Sequence, residues 1–74
     1  MSKGNVTVLG INGHIGYHAA QAFQQAGFAV TGFGRSNRQP IAGVAFVQGD
    51  AAVLDDIKAA IADADIVVNA LNLP

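Results

Sequence analysis

An α/β fold built on a parallel sheet is the expectation from this sequence, and three observations carry it. Short apolar runs with little polar alternation recur along the chain, the pattern of strands buried on both faces. Stretches with helical periodicity stand between them. A turn holding three glycines separates the first apolar run from the first helical stretch.

Asn5-Val6-Thr7-Val8-Leu9 reads as the first strand, closed by Gly10. From His14 to Ala26 the period changes: Ile15, Ala19, Ala22, Phe23 and Ala26 recur as one helical face. His14, His18, Gln21 and Gln25 fill the opposite stripe, and Gly27 stands where a helix end favours a left-handed residue. Phe28 to Phe33 is the second strand, followed by a polar loop over 34–40. Val44 to Val47 is the third strand, stopped by Gly49-Asp50. Leu54, Ile57, Ile61 and Ala64 share a face, so the spacing predicts a second helix over 53–62. Asp55, Asp56 and Asp63 read as its solvated side, and Asp65 to Ala70 as a fourth strand. Only residues 34–43, Pro40 among them, separate the second and third strands. A parallel crossover usually takes about a dozen residues or more, so an irregular or single-turn connection is expected there.

Composition narrows the function. Charged residues make up 12% of the 74 and hydrophobic ones 51%; soluble domains carry roughly 25% charge. A short chain exposes proportionally more surface, so this one is expected to belong to a larger folded unit or to be covered by a partner. With no cysteine, a disulfide framework, a thiol nucleophile and a thiolate metal site are excluded. A net charge of −1 with four basic residues gives no electrostatic footprint for nucleic acid. Val6 to Ile11 is too short for a signal sequence, and no run approaches the ~18–20 apolar residues of a membrane span. The default compartment is the cytoplasm.

The chemistry concentrates in Gly10-Ile11-Asn12-Gly13-His14-Ile15-Gly16. A diphosphate is met by backbone N–H groups at a helix N-terminus. Gly10 would make the turn out of the strand, Gly13 would let the backbone approach the diphosphate, and Gly16 would let the helix pack closely. A strand before, a helix after, and a second strand ending in a charged loop about 20 residues on favour dinucleotide binding. The rival reading is a turn used only for packing. A nucleoside-triphosphate loop would need Gly-Lys-Ser/Thr where Gly13-His14-Ile15 stands. A methyl-donor site would call for an acid near Phe33-Gly34-Arg35, which has none.

The same heptapeptide resembles the fingerprint of the extended and atypical short-chain dehydrogenase/reductases, the NAD-dependent epimerase/dehydratase family. That family often carries Thr or Ala at the place of Asn12. Gln48-Gly49-Asp50, the helix after it, and Ala64 to Ala70 look like its third-strand, helix and fourth-strand signature. Asn69 to Pro74 is similar to a segment of nucleoside-diphosphate-sugar epimerase-like members. The resemblance spans the chain but only the N-terminal half of the family's fold. It implies a Rossmann-type sheet of strand order 3-2-1-4, half of a doubly wound fold. It also implies that the backbone of Asn12, Gly13, His14 and Ile15 cradles the diphosphate. Asp50 and Ala51 would border the adenine, and Ala70 and Leu71 the ribose and diphosphate. The implied parent is an NAD(P)-dependent oxidoreductase or epimerase, with its catalytic acid and substrate-binding part beyond Pro74. The 74 residues alone would then be inactive, since Tyr17 is followed by Gln21 and not by the Lys of the family's Tyr-x-x-x-Lys pair. A different class, a non-catalytic NAD(P)-sensing regulator of the same fold, remains as the alternative, and a purely structural domain as a third.

Charge separates the two nicotinamide cofactors. An acid at the tip of the second strand binds a ribose 2′-hydroxyl, and an arginine accommodates a 2′-phosphate. Arg35, Ser36 and Arg38 stand at that tip, and no carboxylate precedes Asp50. NADP is therefore favoured over NAD. His14 and His18 have a helical metal-binding spacing without an evident third ligand, and Phe23, Phe28, Phe33 and Phe46 read as core. The outer edge of the fourth strand is expected to take the rest of the same polypeptide, or a second copy in a two-fold dimer.

Overall fold

Four short parallel strands form one sheet in the order β3-β2-β1-β4. The structure is a computed structural model and describes residues 3–38 and 40–71; Asn72, Leu73 and Pro74 of the family-like ending lie outside them. The elements are β1 (Asn5–Leu9), α1 (His14–Gln25), β2 (Ala29–Gly34), β3 (Ala45–Gln48), α2 (Leu54–Ile61) and β4 (Ile66–Asn69). Every expected element is present, with ends within one residue of those read from the sequence, and no helix forms between β2 and β3 among the described residues. This is the expected Rossmann-type arrangement.

β1 lies between two partners, which is why it is the most buried strand. Val8 pairs with Gly32 on one side and Val68 on the other. Side chains alternate between faces, so Val6, Val8 and Val30 point together to the α1 face. With Ile11 and Ala20 they form the core, flanked by Phe23, Phe28, Ile41, Val44, Phe46 and Val68. The Phe23 and Phe28 rings meet edge to face at 5.3 Å.

The face of α1 differs from the expected one. Gly16 and Ala20 are buried and Phe23 packs on the core, whereas Ile15 is 72% exposed and Ala22 and Ala26 are exposed too. The cause is the first turn. A Cβ at Gly16 would overlap the Gly10 carbonyl oxygen and stand 2.9 Å from its carbon, so the helix rests on its glycine, and the stripe Gly16-Ala20-Phe23 faces inward.

The other face is thinner. Ile57, Ala60, Ile61 and Ala64 are half-buried, but Leu54 is exposed, so the packed stripe of α2 starts one turn later than expected. Thr7 is buried against this helix and donates its hydroxyl to the Ala60 carbonyl at 3.0 Å. That carbonyl is one of the last four of α2, which have no partner within the helix. Asp56 departs from the solvated reading as well, since its Oδ2 accepts the Asp50 N–H at 2.9 Å. At the opposite ends of the strands, Asn5 donates its N–H to Asp65 Oδ2 and accepts the Asp65 N–H, each at 2.8 Å. This clamp fixes where β4 begins beside β1.

Val47, Val53, Ile66 and Val67 are also exposed, and β4 ends the sheet. Among the described residues no helix is long and apolar enough to cross a membrane. Thr7→Val keeps the shape of the side chain and strands the Ala60 carbonyl; a loss of about 1–2 kcal/mol in urea unfolding is expected.

Candidate functional site

Because all four strands are parallel, their C-terminal ends lie along one edge of the sheet, and the loops that leave them surround a cleft of about 440 Å³. The chain runs outward from β1 through β2 to β3 and then returns to the other side of β1. That reversal is a topological switch point, the place where open α/β sheets bind ligands.

The glycine turn forms one wall. Gly10 has a φ of +83°, and a Cβ on it would stand 2.7 Å from the Ala70 carbonyl oxygen. Its N–H and that of Ile11 both point to the Phe33 carbonyl, at 3.2 and 3.4 Å, while the Ala70 N–H reaches Leu9 O at 2.9 Å. Gly10 and Gly16 are therefore required by the fold itself. Gly13 is not. Its φ of −79° suits any residue, and a Cβ there would meet only the Gly10 oxygen, at an ordinary 3.4 Å. Gly13 is the N-cap of α1, no side chain among the described residues caps that helix, and no acid stands in its first turn. The first helical bond is Tyr17 N–H to Gly13 O at 2.9 Å. An uncapped helix N-terminus presents unpaired N–H groups and a partial positive charge.

Asn12 joins this wall to the next. Its Nδ2 donates to the Ser36 carbonyl, and its Oδ1 accepts the Arg38 N–H at 3.3 Å. Arg35 follows β2 and is largely exposed; its Nη2 lies 3.5 Å from Asp50 Oδ1. The Asp50 carboxylate also accepts the Ala52 N–H at 2.9 Å. That backbone bond is the main reason its pKa falls below the ordinary aspartate value; partial desolvation opposes the fall and Arg35 adds to it.

Of the residues singled out from the sequence, Gly10, Asn12, Gly13, Arg35, Ser36, Arg38, Asp50, Ala51 and Leu71 line the cleft. His14 and Ile15 stand exposed on the first turn of α1, Gly16 is buried beneath it, and Ala70 backs Gly10. Sequence reasoning missed Phe33, Gly34, Gly49 and Ala52, which also line it. Gly49 carried a usable signal as the glycine before Asp50: a Cβ there would be 2.6 Å from the Phe33 ring. The His14 and His18 rings pack edge to face at 4.6 Å, and Tyr17 accepts from Gln21 Nε2 at 3.4 Å.

A parallel sheet of this order, with an uncapped helix over a glycine turn at its switch point, defines a dinucleotide-binding α/β domain. The chain matches the model of the NAD(P)H-binding family over residues 10–73 and belongs to that family. Its cofactor class is a nicotinamide dinucleotide. No curated protein matches it significantly. Among solved structures it is similar to a candidate epimerase from Burkholderia cenocepacia J2315, at 25% identity and a TM-score of 0.78, covering 97% of this chain and 26% of that one. It is also similar to the Bordetella bronchiseptica enzyme WbmH, solved in complex with NAD+, at 25% identity and a TM-score of 0.79, covering 96% and 27%. A D-isomer specific 2-hydroxyacid dehydrogenase family protein from Klebsiella pneumoniae 342 matches at 27% identity and a TM-score of 0.74, covering 95% and 21%. The chain thus spans about a quarter of the length of the first two, consistent with the epimerase/dehydratase likeness of its glycine spacing and with one segment of such a fold.

The three glycines separate experimentally. Gly16→Ala is expected to destabilise the fold by about 1–3 kcal/mol, as overpacking does. Gly13→Ala is expected to leave the denaturation midpoint nearly unchanged, because a modest N-cap loss offsets a small gain from a stiffer unfolded chain, and yet to abolish dinucleotide binding. Asp50 offers a separate check. A depressed carboxylate pKa stabilises the fold above the unfolded value, and the contribution is lost as pH falls through the folded value. Carboxyl NMR titration should place Asp50 below ordinary aspartates in the wild type. In Arg35→Met it should rise only part of the way, because the Ala52 bond remains.

Proposed function

We propose that this chain is the dinucleotide-binding segment of an NAD(P)-dependent epimerase, dehydratase or reductase, and that it takes NADP(H) in preference to NAD(H). The substrate class is a nucleotide sugar or a similar carbonyl or hydroxyl compound, a reading supported by the likeness to the candidate epimerase. The observation that carries the binding mode is the room left at Gly13 below an uncapped α1. The polypeptide has no need of a glycine there, whereas a diphosphate approaching the backbone does.

In this assignment the backbone of Asn12, Gly13, His14 and Ile15 holds the diphosphate. Asp50 and Ala51 border the adenine, and Ala70 and Leu71 border the ribose. When bound, the nicotinamide supplies or accepts a hydride, and the protein contributes binding and orientation. The NADP preference rests on Arg35, Ser36 and Arg38 around one end of the cleft and on the lack of any carboxylate before Asp50. A guanidinium fork matches a phosphate, whereas a ribose 2′-hydroxyl is met by an acid. WbmH holds NAD+, so the choice is argued from this chain's own side chains.

Titration of the full chain with NADPH and NADH tests both levels of the proposal. Binding of neither at millimolar concentration overturns the nucleotide reading. Arg35→Asp is expected to weaken NADPH by roughly ten- to a hundred-fold more than NADH, the scale of a lost charge-assisted bond joined by repulsion. Equal losses remove Arg35 as the phosphate ligand.

A further inference from the structure

Asn12 does more than lend its backbone to the glycine turn. Its carboxamide crosses to the loop after β2, where Nδ2 donates to the Ser36 carbonyl and Oδ1 accepts the Arg38 N–H. Both partners are backbone atoms, so the two bonds fix the course of the loop whatever side chains it carries. The crossing needs a donor and an acceptor on one short side chain, which a carboxamide has and a carboxylate lacks. Gly34 leaves space for it, since a Cβ there would stand 3.0 Å from Asn12 Nδ2. Asn12, Ser36 and Arg38 all line the same cleft.

We propose that Asn12 is a positioning residue for cofactor discrimination: its side chain sets the separation between the diphosphate turn and the loop that meets the ribose 2′ position. The proposal rests on the NADP reading above. A cofactor with a 2′-phosphate engages both ends of this bridge, and one with a 2′-hydroxyl engages chiefly the turn. A loop already held in its bound course loses less freedom on binding. Releasing it therefore penalises the phosphorylated cofactor more.

The test is made on the full chain with Asn12→Ala, measuring the affinities for NADPH and NADH and the hydrogen exchange of the Arg38 amide. The expected result is faster exchange at Arg38 and a fall of about ten-fold in the NADPH-to-NADH affinity ratio, the scale of one net hydrogen bond. Any loss shared by both cofactors cancels in the ratio. With Arg35 and Arg38 both changed to Ala the ratio should already be low, and Asn12→Ala should move it no further. A merely structural role would not move the ratio, so a wild-type ratio in Asn12→Ala overturns the proposal, as does a freed Arg38 amide with equal weakening of both cofactors. Equal affinities in the wild type overturn the NADP reading and the proposal with it; a preference left undiminished by Asn12→Ala overturns the proposal alone. Should Asn12→Ala fold poorly by circular dichroism, Asn12→Ser, too short to reach both loop atoms, is read in the same way.

Discussion

The seat of α1 on the first turn is the contact from which the cleft follows. Gly16 lies so close to the Gly10 carbonyl that no side chain fits between them, and Gly10 in turn lies against Ala70. These approaches stack the helix, the turn and the end of β4 in contact, with Ile11 wedged beneath. Ile11 is buried, and Gly32 leaves the space for it: a Cβ at Gly32 would stand 3.0 Å from Ile11 Cγ1. Overpacking of such a contact costs about 1–3 kcal/mol, a large share of the 5–15 kcal/mol that stabilises an ordinary domain. What the contact secures is direction. It holds the N-terminus of α1 beyond the end of β1, so the unpaired N–H groups of the first turn face the space into which the strands point.

The strands were legible because the information is local and periodic, and their order in the sheet through the family resemblance carried by the glycine turn. β-branched runs bounded by glycines marked the strands within one residue, and a crossover too short for a helix is indeed irregular. The face of α1 was not legible by the same means. Periodicity weighs apolar side chains, and Ile15 outweighs Gly16 on any such scale, yet the glycine faces the sheet because it has no side chain. Much of the cleft wall was legible through the glycine turn and the arginine loop. The rest was hidden in contacts without a period: Asn12 meets residues 24 and 26 positions away, and Asp56 reaches back six positions to the Asp50 N–H. A carboxamide in a turn and an acid on a helix surface signal only that a polar bond is available. Which partner takes it depends on the folded chain.

The ion pair between Arg35 and Asp50 at first looks like an obstacle to phosphate binding, since it occupies the guanidinium with a carboxylate of the same cleft. Its geometry argues otherwise. The separation is 3.5 Å, through one nitrogen, and Arg35 is 81% exposed, so the pair is screened by water and holds weakly. A guanidinium has five N–H donors in a planar fork, and one long contact leaves the others uncommitted. Asp50 does not depend on the arginine either. Its carboxylate is held by the Ala52 N–H and its own N–H by Asp56, so a departing Arg35 leaves no buried charge unpaired. The carboxylate is fixed by the backbone and the guanidinium is tethered near it without being locked. In the proposed NADP mode, a 2′-phosphate would compete for Arg35 only against a solvated contact, so little of the free energy of a bidentate capture would be lost to breaking the pair.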